Sequence, residues 1–237
     1  MDDGTMAEGR GLKEKVALAC RMLEQAGHGD YNLGHVAARA GQGMYMKPAG
    51  LGLGEVTADD ILTLDLDGRV QGGRHPSHSE WPIHAAILRA RPEVQAVVHT
   101  HPPFATAYSC LGREPLVLNQ DGVLFAGGVA IFDQTPDLVN TPALGEALAR
   151  RLGKGQAALL QNHGLVTVGT SVEEATYLAI SLEKSLHTQW IAAFYGLAAG
   201  TAPAAIAAEV AGRMRAEALK PARVAGIWHY LARRLDG

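Results

Sequence analysis

The stretch VVHTHPPF, residues 97–104, limits this chain more than any other. Val97 and Val98 favour extended backbone. Side chains two apart on a strand share a face, so His99 and His101 project together, with ring nitrogens able to meet one ion. Pro102 and Pro103 then end the strand, because proline has no N–H to give to a ladder. A lone pair of this kind is often only a core or surface feature of a strand, so its meaning depends on what the fold brings beside it.

The flanking sequence supplies a scaffold of alternating helices and strands. LKEKVALACRMLEQAGHG spaces Leu12, Val16 and Leu23 as a helical stripe that stops at Gly27. YNLGHVAARAGQGMYMKPAG reads as short extended pieces between glycines, and DDILTLDLDGRV alternates before a hairpin turn at Asp67-Gly68. HSEWPIHAAILRARP predicts a helix capped by Ser77 or Ser79, with Pro82 in its first turn. PPFATAYSCLG and TPALGEALARRLG read as helices, VLFAGGVAIF as a strand, and AALLQNHGLVTVG as two strands parted at Asn162-His163-Gly164. Ser171, three residues before Glu174, marks a capping box at the start of the longest helix. LAAGTAPAAIAAEVAG reads as a linker into one final helix. The expectation is one α/β domain over residues 1–200 with a C-terminal helical arm over 201–237, part of the same domain or of a subunit contact.

Composition narrows the function classes. The 237 residues are 47% apolar, enough for a sizeable core. Balanced charge, 21 basic against 24 acidic residues, points away from nucleic acid and anionic membranes and toward small molecules. Cys20 and Cys110 make neither a disulfide framework nor a thiolate cluster. MDDGTMAEGRGLKEK has no apolar signal core, and charged residues interrupt every apolar run, so a cytoplasmic setting is expected. GLGLGEV lacks the spacing of a dinucleotide loop.

Two further residues strengthen the case for chemistry at His99 and His101. His163 sits in QNHG between two strand segments, where a turn can present a side chain beyond a sheet edge. Three histidines with an open position suit zinc, manganese, iron or cobalt. Glu80 stands at the start of the helix leading into the HTH strand. It is either a metal ligand or proton-moving base, or an ordinary acid at a helix N-terminus. His84, four residues on, shares its helical face, which leaves open both a hydrogen bond behind a ligand and a plain half-buried helix position.

The segment SEWPIHAAILRARPEVQAVVHTHPP, followed by ALLQNHGLVTVG and a helix starting SVEEA, resembles the class II aldolase and adducin-head family. LGHVAAR and KPAG fall at the matching intervals, and the resemblance spans residues 12–195. It implies a three-layer α/β/α domain around a mainly antiparallel sheet, assembled as a homotetramer with sites between subunits. It also implies His99, His101 and His163 as metal ligands and Glu80 as the acid/base. The cation, Zn2+ or Mn2+, would oppose charge on an enolate-type intermediate during carbon–carbon bond cleavage.

Departures from the family pattern refine this. Where its sugar-phosphate aldolases carry Gly-Asn, Thr-Gly and Ser-Ser, this chain has Gly34-His35, Ala49-Gly50 and His78-Ser79. Imidazoles thus replace phosphate-binding amide and hydroxyl groups, with Lys47, Arg74 and His75 nearby in sequence. The resemblance then leans to the decarboxylase-like branch, whose members act on hydroxy-aromatic or hydroxypyridine dicarboxylates and keto acids. His35, Lys47, Gly50, His78 and Ser79 become the expected substrate contacts. Glu80 becomes the expected proton donor, with His35 or a neighbouring subunit's Tyr230, in GIWHYLARRLD, behind it. The alternatives are an aldolase for an unphosphorylated hydroxy-keto acid and a non-catalytic adducin-like binding module.

Overall fold

The computed structural model describes residues 3–235; Met1 and Asp2, and Asp236 and Gly237 at the end of the expected arm, lie outside the described residues. Among the described residues, eight strands form one sheet, β1 (His35–Ala40), β2 (Gly43–Met46), β3 (Leu62–Asp65), β4 (Val70–Gly72), β5 (Ala96–Thr100), β6 (Ala130–Phe132), β7 (Ala157–Leu160) and β8 (Gly164–Gly169). Their spatial order is β4-β3-β2-β1-β5-β8-β7-β6. Every pair is antiparallel except β6 with β7.

Among the described residues, seven α-helices cover the two faces: α1 (Asp3–Leu23), α2 (Trp81–Ala90), α3 (Pro103–Ser109), α4 (Pro142–Leu152), α5 (Val172–Ala199), α6 (Ala208–Ala218) and α7 (Pro221–Arg233). Strand alternation divides the core accordingly. Val36, Ala38, Ala96 and Val98 pack with residues of α1 and α5, whereas Ala37, Val97, Val166 and Val168 pack with residues of α2 and α4. The architecture is the expected three-layer α/β/α domain around a mainly antiparallel sheet. Trp228 of α7 is buried in the first of these cores, so that side chain packs within its own chain.

Several local expectations change. VLFAGGVAIF is not one strand: Gly122–Phe125 forms a tight helical turn, and only Ala130–Phe132 is extended. The Asn119 side chain accepts the N–H of Gly122, its carbonyl accepts that of Val123, and Gly128 takes φ +95° after the turn. Neither Ser77 nor Ser79 caps α2; Glu80 occupies the capping position without capping, because its carboxylate is engaged elsewhere. The Ala-rich segment leads into two helices, since α6 starts at Ala208, within the expected linker. At α5, Ser171 accepts the N–H of Glu174, but the Glu174 carboxylate turns to Thr170, so half of the capping box forms.

Behind the HTH motif, prolines remove two donors from the start of α3. The next two N–H groups, of Phe104 and Ala105, donate to Glu183 of α5 at 2.9 and 2.7 Å. Charge-assisted bonds to a helix N-terminus thereby tie the end of β5 to the opposite helical layer.

Candidate metal centre and active site

His35 and His99 are directly opposed on β1 and β5, on the sheet face that carries α2. His101 follows β5 by one residue and returns to the same side, as period-two alternation requires. His163 arrives from the β7–β8 turn, where Asn162 takes φ +60°. Gly164 lets this turn close on the end of β5: a Cβ there would stand 2.6 Å from the Thr100 carbonyl oxygen. The chain before α2 folds over the sheet edge and inserts Glu80 among the imidazoles, within one subunit.

The ligating atoms of Glu80, His99, His101 and His163 lie within 4.8 Å of one another. Glu80 Oε2 is 3.6 Å from His99 Nε2 and 3.8 Å from His163 Nε2. Its Oε1 accepts the Val139 N–H at 2.9 Å, which fixes the carboxylate plane.

Hydrogen bonds set the lone pairs. His99 Nδ1 donates to the Leu165 carbonyl at 2.9 Å, and His101 Nδ1 donates to Asp30 Oδ2 at 3.1 Å. Both Nε2 atoms are therefore unprotonated, and they face each other at 3.0 Å. Two nitrogen ligands bonded at about 2.0–2.1 Å to one ion stand roughly 2.9–3.4 Å apart, so the pair has the spacing of a chelate. His163 Nε2 is buried without a partner. Opposed lone pairs, an orphaned imidazole nitrogen and an acidic oxygen fit a divalent cation, which His99, His101 and His163 would hold.

Protonation agrees. Burial alone would raise the Glu80 pKa, but the His35 imidazole beside it outweighs burial and holds the carboxyl well below the carboxylate range. Burial pushes His101 and His163 down to about 4, leaving neutral ligands near neutrality.

A second group sits on the Glu80 flank. His35, His78 and Glu80 are all buried, with donor atoms within the same 4.8 Å limit. The His35 and His78 rings are 4.1 Å apart, and the Glu80 N–H donates to His78 Nδ1 at 3.4 Å. Burial lowers His78 to about 4.

The other expected substrate contacts are placed differently. Lys47 is fully buried, and its ammonium donates to the Asn32 and Pro48 carbonyls, as a buried cation requires. Arg74 and His75 both bond to Asp60. Gly50 and Ser79 are exposed, Gly50 at φ +85°. Tyr230 is half exposed on α7, with the Arg234 guanidinium over its ring, and a single subunit does not bring it to the cluster.

The open side of the centre is a pocket of about 630 Å3 bounded by Asp30, His101, His163 and Asp137, with Leu33 and Leu138 among its apolar walls. Asp30 and the Val139 amide escaped the sequence reading. Asp30 falls between the helical stretch that stops at Gly27 and the extended pieces that start at Tyr31, and no local spacing links it to His101.

Residues 14–190 match the Class II Aldolase and Adducin N-terminal domain family. The chain belongs to that family. It is 37% identical over 180 residues to a 5-methylthioribulose-1-phosphate/5-deoxyribulose-1-phosphate aldolase of Rhodospirillum rubrum, covering 76% of this chain and 80% of the relative. It is also 37% identical over 188 residues to a 3,4-dihydroxyphthalate decarboxylase of Arthrobacter keyseri, covering 73% and 75% respectively. The solved structure of an L-fuculose 1-phosphate aldolase from Glaciozyma antarctica superimposes with a TM-score of 0.84 at 29% identity, over 100% of this chain and 94% of that one. These comparisons make the chain a class II aldolase-family lyase, and both aldolases and decarboxylases stand among its relatives. Among the described residues, no helix is long and apolar enough to cross a membrane.

Proposed function

We propose that the chain is a metal-dependent decarboxylase of a small unphosphorylated hydroxy-aromatic or heteroaromatic dicarboxylate, or of a keto acid. The observation that carries this reading is the buried His35–His78 pair beside Glu80, 4.1 Å between ring centroids, where the resemblance leads one to expect phosphate-binding amide and hydroxyl groups. The basic residues that could compensate are engaged: Lys47 by backbone carbonyls, Arg74 and His75 by Asp60. A planar acid could place its carboxylate and adjacent oxygen against the centre and its ring along Leu33 and Leu138.

A bound Zn2+ or Mn2+ supplies positive charge against the negative charge that develops on a substrate oxygen beside the breaking bond. The protein does the rest. His35 and His78 receive the substrate's carboxylate side, and Leu33 and Leu138 cover the apolar part of its body. Glu80, ionised and held by Val139, accepts a proton from solvent or substrate and delivers it to the carbon that carbon dioxide has left. In a homotetramer, a neighbouring copy's Tyr230 would be a second donor at the pocket rim.

The test is a comparison of substrates on protein loaded with Mn2+ or Zn2+. Carbon dioxide should be released from an ortho-hydroxy aromatic dicarboxylate, and Glu80→Gln should lower that rate on the order of 100-fold or more. Aldehyde release from a ketose phosphate, with no carbon dioxide from any acid, would sink the proposal. The second reading, an aldolase for an unphosphorylated hydroxy-keto acid, draws its aldolase chemistry from the equal 37% identity to the R. rubrum aldolase, whose named substrates are phosphates, and its lack of a phosphate from the same His35–His78 pair. In that case pyruvate or an aldehyde, and no carbon dioxide, would appear.

A further inference from the structure

We infer that Glu183 is a positioning residue of the metal centre: from α5 it fixes the course of the chain just after His101 and so holds that imidazole at chelate spacing from His99. His99 Nε2 and His101 Nε2 stand 3.0 Å apart, and a displacement of roughly 0.5 Å at either one degrades the geometry for a shared ion. His99 lies inside β5, between its ladders to β1 and β8. His101 lies one residue beyond the strand and has no such ladder.

The residues after His101 explain why its anchor lies on α5. Pro102 and Pro103 carry no N–H, and their rings fix φ, so the link from His101 into α3 is stiff and has no donor of its own. The next two donors, the N–H groups of Phe104 and Ala105, go one to each oxygen of the Glu183 carboxylate, at 2.9 and 2.7 Å. A movement of α3 therefore passes along the proline pair to His101. Glu183 is 7% exposed and is flanked along α5 by the buried Ala179, Leu182 and Leu186, where an acid is costly unless donors meet it. A second grip comes one turn along the same helix, where the His187 ring stacks on Phe104 with centroids 3.9 Å apart and planes 13° from parallel. Phe104, three residues past a ligand, is thus held by its N–H and by its ring, while Asp30 holds the imidazole of His101 itself.

Glu183 is not one of the pocket walls, and its oxygens bond to backbone N–H groups, so its effect on the ion passes through residues 102–105. A helix cap alone would change stability and leave ion binding as it is; a positioning residue changes both. The role rests on the metal centre described above and not on which carbon–carbon bond is broken.

The experiment uses full-length protein, chelated and then titrated with Co2+, whose visible absorption reports its coordination. Glu183→Gln keeps the length of the side chain but turns an amide N–H against one of the two backbone donors. Its Co2+ affinity, read by competition with a chelating indicator, should fall on the order of 10-fold, and the absorption of the bound ion should shift. Leu178→Ala, a core truncation earlier on α5, should lower the urea midpoint and leave affinity and spectrum as in the wild type. Wild-type affinity with an unshifted spectrum in Glu183→Gln would overturn the inference, as would an equal loss of affinity in Leu178→Ala. Amide exchange followed by NMR tests the wild type alone: the Phe104 and Ala105 amides should be protected, and rapid exchange at both would overturn the role even if Glu183→Gln failed to fold. A wild type that bound no Co2+ would sink the metal centre and this role together, whereas equal binding by wild type and Glu183→Gln sinks the role alone.

Discussion

An imidazole binds a cation only through an unprotonated nitrogen, so the acceptors behind His99 and His101 shape the site as much as the ligands do. Leu165 gives His99 a backbone carbonyl, which no side-chain change removes. Asp30 gives His101 a carboxylate, which can be tested. Asp30→Asn leaves an amide that accepts more weakly and carries no charge, and metal affinity should fall on the order of 10–100-fold. Competition with a chelating indicator measures this, and an affinity equal to the wild type's would refute the role. The ligand pair was legible in the sequence because period-two alternation is local: two residues apart on a strand means one face. Asp30 was not, since 71 positions separate it from His101 and the loop between helix and sheet alone joins them. Glu80 lies between these cases. Its position at the head of a helix was readable, but its insertion among the imidazoles depends on the path of the chain before α2. His84 was readable only as a face-sharing neighbour of Glu80, because its partner His35 is on another element.

At the level of elements, the site depends on β8 starting hard against the end of β5. Gly164 makes that possible, since any side chain there would collide with the Thr100 carbonyl and the His101 ring. Gly164→Ala should cost about 1–3 kcal/mol, the usual penalty for overpacking a rigid neighbour, and should displace His163 from the other ligands. Urea denaturation reads the first effect, and metal content after dialysis reads the second. A variant with wild-type stability and full metal would show that the turn can relax. Helices and hairpins with strong local signals were legible: Asp67-Gly68 turns as read, with Gly68 at φ +80°, and Pro82 lies in the first turn of α2. VLFAGGVAIF misled because an apolar run of four does not distinguish a buried strand from a buried helical turn. Val123, Leu124 and Phe125 are buried in succession, as is every residue of β5, β7 and β8, so burial does not separate the two either.

Across the whole molecule, two features reach beyond any one element. The far half of α5 exposes Trp190, Phe194 and Tyr195 at 61%, 66% and 68%, a patch of aromatic surface that suits contact with another copy. Phe194→Glu should weaken assembly by about 2 kcal/mol or more, seen as a smaller mass in light scattering; an unchanged mass would place any interface elsewhere. The second feature is the number of imidazoles buried neutral. Burial pushes His28 and His84 down to about 3, and His78, His101 and His163 to about 4, against 6.5 when unfolded. Each folded value is below the unfolded one, so between those limits the unfolded chain binds more protons than the native chain. Stability is then full above about pH 6.5 and declines as pH falls toward 4 and 3, by up to roughly 1.4 kcal/mol per pH unit for each such histidine. The urea midpoint of chelated protein should therefore drop steeply between about pH 6.5 and pH 5, and His28→Gln, which removes a buried imidazole that bonds Thr100 and no ligand nitrogen, should shallow the slope. Saturating Mn2+ or Zn2+ should raise the midpoint at neutral pH and lose that effect on acidification, because protons compete for the same nitrogens. A midpoint flat across this interval would mean that these imidazoles are not held neutral by the fold.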